Sequence, residues 1–95
     1  MPYKEKDWNG KRRGELDIIN NILKCSLKFT GKTEIMYKAN LSFSQLGKYL
    51  NLLTSAALLV EKNDIRVEYR TTEKGKKFIE KYEEIEKILA SDSKA

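Results

Sequence analysis

Residues 33 to 54 read Thr-Glu-Ile-Met-Tyr-Lys-Ala-Asn-Leu-Ser-Phe-Ser-Gln-Leu-Gly-Lys-Tyr-Leu-Asn-Leu-Leu-Thr, the pattern of two helices joined by a very short turn. Thr33 is a natural N-cap for a short helix from Glu34 to Ala39 that turns Ile35, Met36 and Ala39 inward. Asn40 and Leu41 are the connection. Ser42-Phe43-Ser44-Gln45 then fits the capping box, in which a serine hydroxyl and a glutamine amide each satisfy a backbone N–H that the helix start leaves unpaired. The next helix is predicted from Phe43 to about Thr54. Leu46, Tyr49, Leu50, Leu53 and Ala57 fall on one side at the helical period, and Ser44, Gln45, Lys48, Asn51 and Ser55 on the other. One face packs, and the other is small and polar.

Before this unit, Leu16, Ile19, Ile22 and Leu23, flanked by Ile18 and Cys25, follow helical spacing and predict a helix from Arg12 to about Leu27, with Glu15 and Asp17 at the positive end of its dipole. Phe29-Thr30-Gly31-Lys32 breaks the pattern. After the unit the period changes: Leu58-Leu59-Val60 is an apolar run, Lys62-Asn63-Asp64 a turn, and Ile65 to Arg70 alternates apolar with charged. These predict a β-hairpin with Arg66, Glu68 and Arg70 on its outer face. Thr71 or Thr72 caps a last helix from Glu73 to about Ala90, in which Phe78, Tyr82, Ile85 and Leu89 form an a/d seam. Residues 1–11, with an Asn9-Gly10 turn signal and Trp8, read as a flexible basic arm, and residues 91–95 as a frayed tail.

Three helices, the second short and the third polar-faced, followed by a hairpin and a long C-terminal helix, make an α+β, mainly α chain with the element order of a winged helix-turn-helix. The DNA-binding unit spans residues 12–72 and a dimerisation helix residues 73–90. In such a fold the third helix enters the major groove. Ser44, Gln45, Lys48 and Asn51 have the hydroxyl, amide and ammonium groups that reach base edges or phosphate, and the helix start at Ser42 is a phosphate site. Arg66 and Arg70 on the hairpin are further phosphate candidates, interleaved with Glu61, Asp64 and Glu68. Lys11, Arg12 and Arg13 form a basic arm of the kind that can enter a minor groove. An isolated helix of ~18 residues is marginal in water, so Tyr82, Ile85, Ile88 and Leu89 are expected at a subunit interface and Phe78 against the chain's own domain. Glu80, Glu83, Glu84 and Glu86 keep that helix off a phosphate backbone.

Composition narrows the alternatives. Ninety-five residues, 40% hydrophobic and 35% charged, make one modest core, and two catalytic domains do not fit. The net charge is +5, with ten basic and five acidic residues in 1–48, six and four in 49–77, and three and five in 78–95. The body is basic and the end acidic, so a polyanion would meet the body. With no histidine and one cysteine, Cys25, the common zinc-ligand sets, an intrachain disulfide and His-assisted nucleophilic catalysis are all excluded. Cys25 reads as a small buried residue. Thr30-Gly31-Lys32-Thr33 mimics the end of a phosphate-binding loop, but Ser26 stands where that motif needs its first glycine. No enzyme, cofactor or small-molecule substrate is implied. No apolar run approaches the ~18 residues of a membrane span, and the polar N-terminus has no secretory pattern, so a cytoplasmic protein is expected.

The stretches Leu16-Asp17-Ile18-Ile19-Asn20-Asn21-Ile22-Leu23, Ile35 to Phe43 with the preceding Thr33-Glu34, and Thr72-Glu73-Lys74-Gly75-Lys76-Lys77-Phe78 resemble those of small archaeal winged-helix DNA-binding proteins, the 10a group described from Sulfolobus. The resemblance covers roughly residues 12 to 89. It implies a homodimer joined by an antiparallel coiled coil of the C-terminal helix, binding to double-stranded DNA, and a role as transcriptional regulator or chromatin-type protein. The chain differs in a shorter last helix, an acidic tail and the Trp8-bearing arm. The modest charge and acid-rich hairpin leave a rival from another class: a protein-interaction winged helix of a transcription or repair assembly that does not bind DNA on its own.

Overall fold

Gly14 donates its N–H to the Asp17 carboxylate at 3.3 Å and starts α1, Glu15–Cys25, which buries Ile19, Asn20, Ile22 and Leu23. The computed structural model describes residues 14 to 94, with side chains through residue 90. Lys11, Arg12, Arg13 and Trp8 therefore lie outside the described residues. After α1 come β1 (Thr30–Gly31), α2 (Lys32–Ala39), α3 (Phe43–Ser55), β2 (Leu59–Asn63), β3 (Val67–Thr71) and α4 (Glu73–Lys94). Four helices and an antiparallel sheet of order β1-β3-β2 make the mainly helical winged-helix fold that the element order predicts.

The α2–α3 unit forms as read, with one shift. α2 starts at Lys32, one residue before the expected cap Thr33, because Gly31 is already extended and paired with Glu68 of β3, so the chain passes from strand to helix without a linker. Asn40 then adopts φ 57°, its N–H donating to the Tyr37 carbonyl and that of Leu41 to Met36. This is a left-handed helix stop, which asparagine tolerates better than most residues. The capping box is present in both directions: the Gln45 N–H donates to Ser42 Oγ at 3.1 Å and the Ser42 N–H to Gln45 Oε1 at 3.0 Å. α3 ends in the same left-handed stop, with Ala57 at φ 63° and the Leu58 N–H on the Leu53 carbonyl at 2.9 Å. Ala57, expected on the packing side, is thus an exposed stop residue beyond the helix.

The hairpin differs from its expected register. Its turn is Asp64-Ile65-Arg66, and the strands pair from Leu59 opposite Thr71 to Asn63 opposite Val67. A one-residue slip would turn Leu59, Tyr69 and Thr71 out of the core, so their burial fixes the register. Arg66 therefore lies in the turn, not within a strand, and Ile65 at the tip is 98% exposed. The two-residue strand β1 was not expected at all.

Every helix and the sheet contribute to one core: Ile19, Ile22 and Leu23 of α1, Ile35 and Ala39 of α2, Leu46, Leu50 and Leu53 of α3, with Leu41, Leu59 and Tyr69. Leu16, expected to pack, is exposed at the start of α1. Cys25 is only partly covered, enough for burial to push its thiol up from the ordinary value. α4 joins through its first turns. Thr72 Oγ1 accepts the Gly75 N–H at 3.0 Å and donates to the Ala57 carbonyl at 2.7 Å, while Lys74 Nζ donates to the Ala56 carbonyl at 2.8 Å. Phe78 and Ile79 pack on the core, and Tyr82 stacks on Phe78 at 6.1 Å. Every side chain from Glu84 to Ala90 is exposed, and the helix continues four residues past the expected end at Ala90.

Two positions in this frame should respond with opposite signs. A Cβ on Gly75 would lie 2.5 Å from the Leu58 carbonyl oxygen and 2.6 Å from Thr71 Cγ2, so Gly75→Ala should destabilise by about 2–3 kcal/mol. Ala57→Gly relieves the left-handed alanine and should stabilise by roughly 1 kcal/mol. Urea melts of the two variants read both; equal stability of Gly75→Ala and the parent would show that α4 does not sit as closely on the Leu58 turn as described.

Candidate nucleic-acid interface

The side chains of α3 that do not build the core all point away from the body. Ser44, Gln45, Lys48, Asn51 and Ser55 are exposed, and Lys48 makes no ion pair among the described residues. From Ser44 to Asn51 the helix rises about 10 Å, the length of three stacked base pairs. No carboxylate occurs between Glu34 and Glu61 in the sequence, so this face carries a positive potential that nothing on its own helix cancels.

The capping box limits what two of the sequence candidates can do. Ser42 Oγ and Gln45 Oε1 already accept backbone N–H groups, which leaves the Gln45 amide NH₂ as donor and the Ser42 hydroxyl hydrogen as its remaining group. Ser44, Lys48 and Asn51 keep their full hydrogen-bonding capacity toward an outside ligand. The structure brings these five residues onto one helix, and Arg66 and Arg70 onto a separate element, the hairpin. Lys11, Arg12 and Arg13 lie outside the described residues.

The hairpin cations are largely occupied. Arg66 donates from Nε and Nη2 to Glu68 Oε2 at 3.2 and 2.9 Å, and Lys62 Nζ lies 3.5 Å from Glu68 Oε1. The Arg66 hydrogen bond, with the charges of Arg66 and Lys62, holds the Glu68 carboxyl below the usual carboxylate range. Two cations thus share one carboxylate. Arg70 and Lys62 also lie over the Phe29 ring, each 4.6 Å from its centroid. Arg70 is the wing cation with no carboxylate partner among the described residues. Between the wing tip and α2, Gly31, Lys32, Thr33, Glu34, Tyr37, Lys38, Arg66 and Val67 line a shallow groove. There Lys38 is paired with Glu34 at 3.0 Å, which raises its ammonium above the ordinary value.

Sequence reasoning missed two neighbours of the α3 face. Phe43, the first residue of α3, is 66% exposed, and Lys32 Nζ lies 4.8 Å over its ring. Phe43 was read only as a helix start; the signal available was its place at −100° from Ser44 around the helix, beside the polar face.

At the far end of the chain, Ile85, Ile88 and Leu89 are 51, 61 and 38% exposed. Tyr82 is half-buried by its own domain. Lys24 of α1 reaches Glu83 of α4 at 3.4 Å, where α4 leaves the body. No described helix is long and apolar enough to cross a membrane, and no described cluster of acidic or cysteine side chains suits a metal ion.

Comparison with known proteins places these features in a family. The family described as winged helix-turn-helix matches residues 12–90. Among solved structures, Sso10a-2, a DNA-binding protein from Sulfolobus solfataricus, superposes with a TM-score of 0.73 at 31% identity, over 86% of this chain and 90% of that one. No curated protein matches significantly. A match over the whole helical body and sheet, with a neighbour aligned nearly end to end, establishes the relationship: the chain belongs to the winged helix-turn-helix family, in the group of Sso10a-2.

Proposed function

We propose that this protein binds double-stranded DNA as a homodimer, with α3 in the major groove, and acts as a transcriptional regulator or chromatin-type protein. The observation that carries the reading is the outer face of α3: exposed, free of carboxylates, with Lys48 and Asn51 uncommitted. Family membership and the DNA-binding character of Sso10a-2 support it. Lys48 and Asn51 supply base or phosphate contacts, Ser44 and the Gln45 amide flank them, and the start of α3 at Ser42 meets phosphate with its dipole. Arg70 is the stronger of the two wing contacts, because Arg66 is already held by Glu68. Lys11, Arg12 and Arg13 add phosphate contacts ahead of α1.

The exposed end of α4 supports the dimer. Its exposed Ile85 and Ile88, with Tyr82 and Leu89 on the same stripe, are apolar groups that a second copy would cover, while the glutamates between them keep the pair off DNA. Light scattering should give twice the chain mass, and Ile85→Glu with Ile88→Glu should return the mass of one chain with an unchanged melt of the body. A single-chain mass for the parent protein would remove the dimer from the reading.

If about six phosphates are neutralised per complex, log affinity should fall against log salt with a slope near −5. Fluorescence anisotropy of a labelled duplex at several salt concentrations measures this, and affinity indifferent to salt would exclude phosphate-driven binding. Lys48→Glu places a carboxylate on the reading face without disturbing any intramolecular pair. It should lower affinity at least about a hundredfold, combining a lost contact with repulsion, while the thermal melt stays within a degree or two. Retained affinity would show that α3 is not the reader.

One observation favours a second reading, a module that recruits a protein partner. Glu68 neutralises much of the wing, so less of the basic charge faces outward than the sequence count suggests. That module would be dimeric by light scattering and leave duplex DNA unshifted.

A further inference from the structure

We infer that Phe43 reads thymine: the edge of α3 formed by Phe43 and Gly47 lies against the major-groove floor, with the Phe43 ring on a thymine C5-methyl group. This deepens the DNA-binding reading of the same helix and rests on it.

Three observations carry it. The Phe43 ring stands at the first position of α3, 66% exposed, at the end of a groove-reading helix where base contacts concentrate. Among the described residues the phenyl ring is not packed on the core, and Lys32, whose ammonium lies 4.8 Å over the ring, helps to hold it in position. One turn further along the same edge stands Gly47. Glycine inside a helix weakens it relative to alanine, and a Cβ built there would meet nothing within 4 Å, so no contact among the described residues requires it. A residue that weakens the helix and relieves no internal clash marks a surface that something outside approaches closely.

The chemistry of the edge selects the occupant. Phe43, Gly47 and Asn51 step by four residues and share one side of the helix. Asparagine pairs with the N6 and N7 edge of adenine, and an apolar side chain packs on the methyl group of thymine, so the edge as a whole suits A·T pairs. Lys32 and Lys48 flank it, and no carboxylate of α3 adjoins it. A protein surface would find the same ring but not the reason for a glycine between a ring and an amide, each about 6 Å from the next along the helix.

The decisive measurement uses two duplexes of one A·T-rich sequence, one carrying deoxyuridine in place of every thymine, so that the major groove loses methyl groups and no hydrogen-bonding atom. The full-length protein should prefer the thymine duplex by about fourfold for each methyl that Phe43 covers. Phe43→Ala should bind both duplexes equally. Gly47→Ala should melt roughly 3–5 °C higher, as an unhindered helix substitution does, yet bind the thymine duplex roughly tenfold more weakly, because the added methyl occupies the contact. Equal binding of both duplexes by the parent protein, or a thymine preference that survives in Phe43→Ala, overturns the assignment and leaves salt-dependent DNA binding standing. Unchanged affinity in Gly47→Ala overturns the close approach at that edge. Absence of binding to either duplex overturns the DNA-binding reading, and this one with it.

Discussion

The carbonyls of Leu23 and Ser26, at the end of α1, face inward where water cannot reach them, and a single residue of β3 meets both. Thr71 donates its backbone N–H to Ser26 and its hydroxyl to Leu23, each at 2.7 Å. Helix ends leave carbonyls without partners, and a buried one unmet costs about 1–3 kcal/mol. By satisfying them from 48 and 45 residues away, Thr71 ties the sheet to α1 and closes a loop that contains the whole helix-turn-helix unit. The next residue, Thr72, caps α4, and Gly75 lets that helix settle on the Leu58 turn, where Lys74 and Thr72 also bind the carbonyls left by α3. The α3 end, the sheet and α4 thus share one junction. What projects from it, the polar face of α3 and the wing, is held by bonds that lie behind it.

The same economy decides which polar groups remain for a ligand. Ser42 and Gln45 are spent partly on starting α3, and Glu68 holds Arg66 and Lys62. The Arg66 hydrogen bond depresses the Glu68 carboxyl, so the carboxylate stays charged beside Arg66 and Lys62 at neutral pH. Of the two elements, α3 therefore keeps more uncommitted polar groups, Ser44, Lys48 and Asn51, than the hairpin, where Arg70 is the cation with no carboxylate partner among the described residues. A net charge of +5 says little about where a polyanion would bind; the distribution of partners says more.

Much of the fold was legible because local and tertiary requirements agree in this chain. The S-x-x-Q box fixed the start of α3 to the residue, since both of its hydrogen bonds are local. Asn40 marked a turn that its left-handed backbone explains. What was not legible depends on long-range pairing. β1 has two residues and no period of its own; it exists because Thr30 and Gly31 lie beside Tyr69 and Glu68. The hairpin turn was placed early because Lys62-Asn63-Asp64 is as good a turn signal as Asp64-Ile65-Arg66, and only the burial of Tyr69 and Thr71 chooses between them. For the candidate site, hydrogen-bonding residue types on one helix face were readable. The exposure of Phe43 was not, since it depends on what other elements bring near, and the capture of Arg66 by Glu68, two residues away, was not, since it depends on Arg66 lying in the turn and not in a strand.

α4 shows how one helix can serve two purposes divided along its length. Its first turns are bound by Thr72, Gly75, Phe78 and Ile79, and its departure from the body is marked by Lys24 and Glu83. That pair is half-exposed on both sides, so it contributes at most about 1 kcal/mol and cannot by itself hold the rest of the helix in place. Beyond it, the helix has lost its contact with the core but kept apolar residues at Ile85 and Ile88, set among Glu84, Glu86 and Lys87. Helix propensity alone does not sustain such a segment, because helices of this length draw most of their stability from packing an apolar face. The proposed pairing of two copies supplies that packing at the point where the domain's own core ends.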